Sequence, residues 1–230
     1  LFLTEMTTRF SEYSLCISVK NNLSRWYNQF FKRAFDLSVA TVGTIAISPI
    51  LLGIAIAIKA SSPGPAFYAH RRIGKDGIYF NCYKFRSMVV DSDRRLQEYL
   101  RANPEAAKEW EETHKLKHDP RVTKIGAFLR KTSLDELPQL FNVIRGQMSL
   151  VGPRPIVDEE VIKYDVFFSD YTMVRPGMTG LWQTSGRSDT SYSRRVRLDA
   201  WYVRNWNIWL DISLLVKTVR VVLSSHSGAY

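Results

Sequence analysis

The sequence predicts an α+β chain, mostly helical with short strands, organised around a single membrane element. Three observations lead there. Leu37 to Ile58 runs 22 residues without a charge between Asp36 and Lys59. A helix of that length reaches about 33 Å, enough for a bilayer core of about 30 Å. The stretch before it and the stretch Asp199 to Leu223 mix tryptophan and tyrosine with arginine and lysine, as helices lying at a membrane interface do. Ala66 to Val90 reads as two strands about a Gly74–Gly77 turn.

Charge and cysteine usage narrow the class. Thirty-two basic residues against 22 acidic ones give +10. That balance suits anionic lipid, a phosphorylated substrate or nucleic acid, and the apolar run favours the first two over nucleic acid. Cys16 and Cys82 are the only cysteines; they have neither metal-ligand spacing nor a disulfide framework, which fits a reducing compartment. Leu1–Phe10 holds Glu5 and Arg9 and no apolar core, so it is not a secretory signal. The chain starts without methionine, and we expect it to be the C-terminal part of a longer protein, with residues 1–22 the tail of a preceding domain or a linker.

Taken in order, Glu12–Val19 is a candidate strand. Leu23–Phe35 carries Arg25, Trp26, Tyr27, Phe30, Phe31, Lys32 and Arg33, the pattern of an interfacial helix with aromatic anchors feeding the apolar run. Ser48-Pro49 interrupts that run near its middle. Pro49 has no N–H for the Ile45 carbonyl and clashes there, and a serine hydroxyl can satisfy freed backbone where lipid cannot. Basic residues flank both ends of the run. From the residues alone, a re-entrant hairpin and a kinked span are equally compatible. Residues 23–60 therefore form the membrane element and 61–230 the remaining domain. Ser61-Ser62-Pro63-Gly64-Pro65 ends the helix. Asp91 is placed to cap a helix to about Asn103, and Pro104 opens another through Leu116.

Chemistry is concentrated in three later stretches. Ser133-Leu134-Asp135-Glu136-Leu137-Pro138 opens a further helix; on pattern alone, Ser133 and Glu136 form a capping box or Asp135 is itself the cap. The alternative is functional: adjacent carboxylates preceded by Arg130 and Lys131, able to attack phosphorus or to hold Mg²⁺. Gly152-Pro153-Arg154-Pro155 fixes the backbone on both sides of one arginine and so aims its guanidinium, as a phosphate clamp requires. Arg175-Pro176-Gly177 begins a loop carrying Trp182, Gln183 and Arg187, suited to a nucleotide. Neither a Walker A nor a G-x-G-x-x-G motif is present. Asp199–Leu223 is too charged to span and reads as one or two amphipathic helices.

Lys32-Arg33-x-x-Asp36, Ser48-Pro49, Tyr83-Lys84-Phe85-Arg86-Ser87-Met88, Ser133 to Asn142, Val151-Gly152-Pro153-Arg154-Pro155 and Arg175-Pro176-Gly177 occur in fixed order. In this the chain resembles the bacterial sugar transferase family, the monotopic phosphoglycosyl transferases, over roughly residues 31–230. The Trp182 context and the Gly228-Ala229-Tyr230 end resemble its galactose-transferring branch, with glucose the next choice of sugar. The resemblance implies a re-entrant membrane helix and a small cytoplasmic catalytic domain at the bacterial inner membrane. It also implies a UDP-sugar donor, undecaprenyl phosphate as acceptor and Mg²⁺ as cofactor, with membrane lipids as further partners; homo-oligomerisation stays open. Asp135 would be the nucleophile and Glu136 its acidic partner, both near the metal. Lys84, Arg86, Arg130, Arg154, Arg175, Gln183 and Arg187 are the expected phosphate- or nucleotide-binding residues. Many relatives have an acidic residue after the position of Gly146, and this chain has Gln147, so no metal role is expected there. A basic membrane-bound scaffold would also account for the composition, but it gives no reason for Asp135-Glu136 or for a proline-fixed Arg154.

Overall fold

The computed structural model describes residues 6–11, 14–19, 22–113, 116–185 and 191–223. It opens with two antiparallel strands, β1 (Met6–Ser11) and β2 (Ser14–Val19), registered with Met6 opposite Val19 and Ser11 opposite Ser14. The strand expected over Glu12–Val19 corresponds to β2; its partner β1 has no counterpart in the sequence reading. A 3-10 turn at Asn22–Ser24 leads into α1 (Trp26–Ser61). The interfacial segment and the apolar run are thus one 36-residue helix, about 54 Å long. It stays helical through Pro49, so the expected interruption is not an end of the element. Its apolar side chains are largely open: Val42 and Ile45 are 68% exposed, and Leu52 63%. Of the described helices, α1 is the one long and apolar enough to cross a membrane.

β3 (Phe67–Ile73) and β4 (Tyr79–Phe85) form a second two-stranded sheet. The turn between them places Asp76 and Gly77 at φ 56° and 74°, the left-handed region that glycine enters freely. Then come α2 (Ser92–Ala102), α3 (Pro104–Thr113) and α4 (Lys124–Lys131), followed by a 3-10 turn at Leu134–Glu136. α5 (Gln139–Ile144), β5 (Ser149–Val151), α6 (Asp158–Tyr164), α7 (Phe168–Thr172) and β6 (Gly177–Thr179) follow. β5 and β6 pair in parallel, Ser149 opposite Gly177 and Val151 opposite Thr179. The C-terminal segment is two helices, α8 (Tyr192–Asn205) and α9 (Ile208–Leu223). Asn207 separates them, its Oδ1 accepting from the Leu210 N–H at 2.9 Å.

The chain forms two compact units, each discontinuous in sequence. The first comprises Leu1–Ile45, His70–Cys82 and Gln139–Ser225. Its apolar core includes Ile73, Ile156, Tyr164, Tyr171 and Val196. A polar cluster ties the first part of α1 to α8, α9 and β5. The buried Lys32 Nζ donates to Asp211 Oδ2 at 2.6 Å. Tyr202 Oη and Trp206 Nε1 donate to the same carboxylate at 2.7 and 3.0 Å. Asp36, one helical turn on from Lys32, accepts from Ser149 Oγ at 2.7 Å and from the Leu150 N–H at 3.2 Å. Buried charges persist only when paired and hydrogen-bonded in this way.

The second unit includes Ala46–Ala69 and Tyr83–Pro138. The second part of α1 contributes Leu51 and Ile58 to its core, beside Ala66, Phe85 and Leu129, with Leu134 and Leu137 packed against them. The loop after α1 is held by Arg86. Its guanidinium donates to Ser62 O and Ser62 Oγ, both at 2.8 Å, and to Pro63 O at 2.9 Å.

Candidate active site

The carboxylate pair sits in the second unit, and its geometry follows from the residues on either side. α4 starts at the Thr123 cap, whose Oγ1 accepts from the Gly126 N–H at 2.9 Å. The Thr123 N–H donates to Ser87 O at 3.1 Å. A Cβ on Gly126 would overlap the Ser87 backbone, so only glycine lets this helix lie so close to the end of β4. Two turns later, Arg130 Nε donates to Ser87 Oγ at 2.9 Å. One residue therefore fixes both ends of α4.

Ser133 then takes φ 57°, ψ 16° and closes the helix. The 3-10 turn that follows has three residues per revolution, so Leu134 and Leu137 fall on one side. Both pack into the core, which turns Asp135 and Glu136 out along two other directions. No side-chain cap forms at Ser133, and the helix beyond begins only at Gln139. The capping-box expectation is thus corrected: the left-handed Ser133 cannot serve as an extended cap residue, and Glu136 has a stronger partner. Lys84 Nζ, from β4, lies 2.6 Å from Glu136 Oε1.

The two carboxylates are electrostatically distinct. Burial is the largest influence on Asp135, and with the Glu136 charge it holds the Asp135 pKa above the ordinary carboxylate range, against the pull of Lys84 and Arg130. Arg130 is lowered by burial, partly offset by Asp135 and Asp119. The charge of Lys84 therefore helps keep Asp135 ionised. Replacing Lys84 by Met removes a lowering influence, so the acid limb of the pH–activity profile should move to higher pH. An unmoved limb would show that Asp135 does not set it.

Two carboxylates suit Mg²⁺, which takes one or two protein carboxylates and fills its octahedron with water and substrate phosphates. Lys84 competes for one of them. Among the described residues no group of three or more His, Cys, Asp or Glu side chains converges. Gln147 accepts from Asn142 Nδ2 at 2.8 Å.

The expected phosphate ligands divide between the units. Lys84 and Arg130 lie in the second, beside the carboxylates. Arg86 also lies there, but it is 7% exposed and its terminal nitrogens serve the loop after α1; its role is to hold that turn. Arg154, Arg175 and Gln183 lie in the first unit. Arg175 Nε donates to Gly146 O at 2.6 Å, and Gln183 Nε2 to Met178 O at 3.2 Å. The Arg154 guanidinium stands 6.0 Å over the Trp182 ring. Arg187 lies outside the described residues. Sequence reasoning gave Ser87 no role of its own, although it lies in the Tyr83–Met88 motif just past β4. It also missed Arg72 and Arg195, which in sequence look like ordinary surface charges.

A sequence profile described as bacterial sugar transferase matches residues 27–225. A UDP-galactose-lipid carrier transferase of Erwinia amylovora is 51% identical over 233 residues, covering 100% of this chain and 48% of its own. An undecaprenyl-phosphate galactose phosphotransferase of Salmonella typhimurium is 49% identical over 230 residues, with the same coverage. The exopolysaccharide production protein ExoY of Sinorhizobium fredii is 51% identical over 199 residues, 86% of this chain and 88% of its own. The chain thus spans about half the length of the first two relatives and most of the third. With the match extending from α1 to the end of α9 and including the carboxylate turn, the chain belongs to the bacterial sugar transferase family.

Proposed function

We propose that this chain transfers sugar 1-phosphate from a UDP-sugar to undecaprenyl phosphate in two steps through Asp135. An Asp135 oxygen attacks the β-phosphorus of the UDP-sugar. The bond from that phosphorus to the bridging oxygen breaks, and UMP leaves with the electron pair. The sugar 1-phosphate is then an acyl phosphate on Asp135. An oxygen of undecaprenyl phosphate attacks the same phosphorus, the bond to Asp135 breaks, and undecaprenyl-diphospho-sugar leaves with the carboxylate restored. The observation that carries this reading is the difference between neighbours: Glu136 is engaged by Lys84, whereas the Asp135 carboxylate is destabilised by burial. A carboxylate disfavoured in its charged state is a better nucleophile than one held in an ion pair.

Lys84 and Arg130 supply positive charge where phosphate oxygens gather it during transfer. Mg²⁺, held by Asp135 and Glu136, would supply further charge neutralisation of the phosphates. Arg154, Arg175, Gln183 and Arg187 remain the substrate-binding residues of this proposal, and galactose is the proposed sugar, in keeping with the names of two relatives. The product would begin an O-antigen, capsule or exopolysaccharide repeat.

The decisive experiment withholds the lipid. Incubation with a UDP-sugar labelled in the sugar should leave label on the protein, released by hydroxylamine, with one UMP formed per labelled chain. Turnover with lipid phosphate but no trapped label would instead mean direct transfer, with Asp135 acting only as a base.

The proposal includes a topology. In the membrane α1 stays helical but bends at Ser48-Pro49 and does not cross, so that both substrates meet on the cytoplasmic face of the inner membrane. Asn28→Cys and Ser62→Cys, each made in a background lacking Cys16 and Cys82, should both be labelled from the cytoplasmic side. Labelling of position 28 only from the periplasm would mean that the helix spans. Pro49→Leu restores a backbone donor and should move part of the population to a spanning, inactive form.

A further inference from the structure

In the first unit, several buried polar atoms of Trp182, Gln183 and Arg195 have no hydrogen-bond partner among the described residues. Arg195, on the first turn of α8, is 9% exposed. Its guanidinium carbon lies 4.7 Å from the centre of the Trp182 ring and 5.0 Å from that of Tyr192. Nη1 reaches Glu160 Oε1 at 3.4 Å. Nε and Nη2 are buried and have no acceptor. Those two nitrogens form the side-on edge of the guanidinium, whose parallel N–H bonds match two oxygens of a phosphate or carboxylate. Trp182 Nε1 and Gln183 Oε1 are likewise buried and unpartnered. Folded proteins rarely leave such groups unsatisfied unless something else binds them.

The charge around the ring has one sign in excess. The Arg154 guanidinium also stands over the Trp182 ring, 6.0 Å from its centre. Arg72 is close enough for the charge of Arg154 to add to burial in lowering its pKa. Against these three guanidiniums stand Glu160, 3.8 Å from Arg72, and Asp199. Asp199 accepts from Tyr164 Oη at 2.8 Å. Burial raises it to about 7, despite Tyr164, Arg195 and Arg154, so near neutrality it offsets only part of the positive charge.

We infer that Arg195, with Trp182 and Arg154, forms a binding site for a phosphate group. The site takes two phosphate oxygens on the Arg195 side-on edge, and a further acceptor of the ligand on Trp182 Nε1. A nucleotide and a prenyl phosphate present the same chemistry. The assignment rests on residues of one unit and does not depend on the covalent step at Asp135.

The full chain in detergent or nanodiscs is titrated calorimetrically with three probes: UMP, inorganic phosphate and a short-chain prenyl phosphate. Arg94→Gln, an exposed residue of α2, is the control and should bind all three as the wild type does. Arg195→Lys keeps the charge but loses the fork, and should weaken at least one probe tenfold or more. Trp182→Phe keeps the ring and loses the donor, and should weaken the same probe. Glu160→Gln removes the competing carboxylate and should tighten that probe severalfold, an effect that mere loss of structure would not produce. Tight binding of UMP alone identifies a nucleotide site, and of prenyl phosphate alone a lipid-phosphate site. If Arg195→Lys does not fold, Trp182→Phe and Glu160→Gln carry the test. Affinities within twofold of wild type in the folded variants, or no binding of any probe by the wild type, would overturn the assignment.

Discussion

Asp135→Asn is expected to reduce turnover by at least about a thousandfold, some 4 kcal/mol of transition-state stabilisation, while leaving the fold intact. The second half of this result is as informative as the first. The folded-state pKa of Asp135 lies above its unfolded value, with burial the main cause. At neutral pH its ionisation therefore works against folding, and that cost disappears as the pH falls and the carboxyl takes up a proton. A neutral, isosteric amide avoids the same cost at any pH, so the melting temperature of the variant should equal or exceed that of the wild type. Substantial residual activity would exclude Asp135 as nucleophile. A folded-state loss of stability would mean that the carboxylate is structural. A functional group held at the expense of stability is a familiar trade in enzymes.

The second large effect concerns the buried cluster at Asp211. Asp211→Ala removes the 2.6 Å partner of Lys32 and leaves that ammonium, 6% exposed, with only the more distant Asp36 carboxylate, at 3.9 Å, as counter-charge in a low-dielectric site. The Tyr202 and Trp206 donors lose an acceptor as well. Breaking a buried pair in this way costs about 3–5 kcal/mol. For a chain of this size that corresponds to roughly 10 °C of melting temperature. The double variant Lys32→Met with Asp211→Leu should recover part of the loss, because the ammonium is removed with its nearest partner, and Asp36 keeps its hydrogen bonds from Ser149 and Leu150. Thermal denaturation of Lys32→Met, Asp211→Leu and the double variant in the same detergent gives the coupling directly. A single variant as stable as wild type would show that the pair is dispensable.

How much of this was legible in the sequence depends on the range over which each residue acts. The apolar run, the Gly74–Gly77 turn and the α2 and α3 boundaries come from local preferences, and the structure has them within a few residues. The parts that were not legible depend on partners far along the chain. Lys32 and Asp211 are 179 residues apart, and nothing near either one announces the other. Ser133-x-x-Glu136 reads as a cap because the pattern weighs only backbone four residues away. Lys84, 52 residues earlier, offers Glu136 a charge-assisted bond that a cap cannot match. Arg86 stands two residues after Lys84 in a motif and so invites the same role, yet β4 ends at Phe85, and beyond the strand the alternation that would put the two on one face no longer holds. One meets the carboxylate turn and the other the loop after α1. Asp135 and Arg154 could be singled out as candidates from nearby residues, a neighbouring acid in one case and flanking prolines in the other, and the nucleophile role of Asp135 came from the family resemblance.

The left-handed backbone at Ser133 bounds what natural variation can do beside the carboxylates. L-residues enter that region at a cost; glycine does not, and asparagine and aspartate enter it more easily than most. A β-branched side chain there would push the backbone back toward the right-handed or extended basins and carry the Leu134–Glu136 turn with it. Position 133 is thus open to drift among serine, glycine, asparagine and aspartate and closed to valine, isoleucine and threonine, whatever sugar or lipid a descendant comes to use. The diversity tolerated one helical turn from the chemistry is set by a torsion angle and not by the reaction.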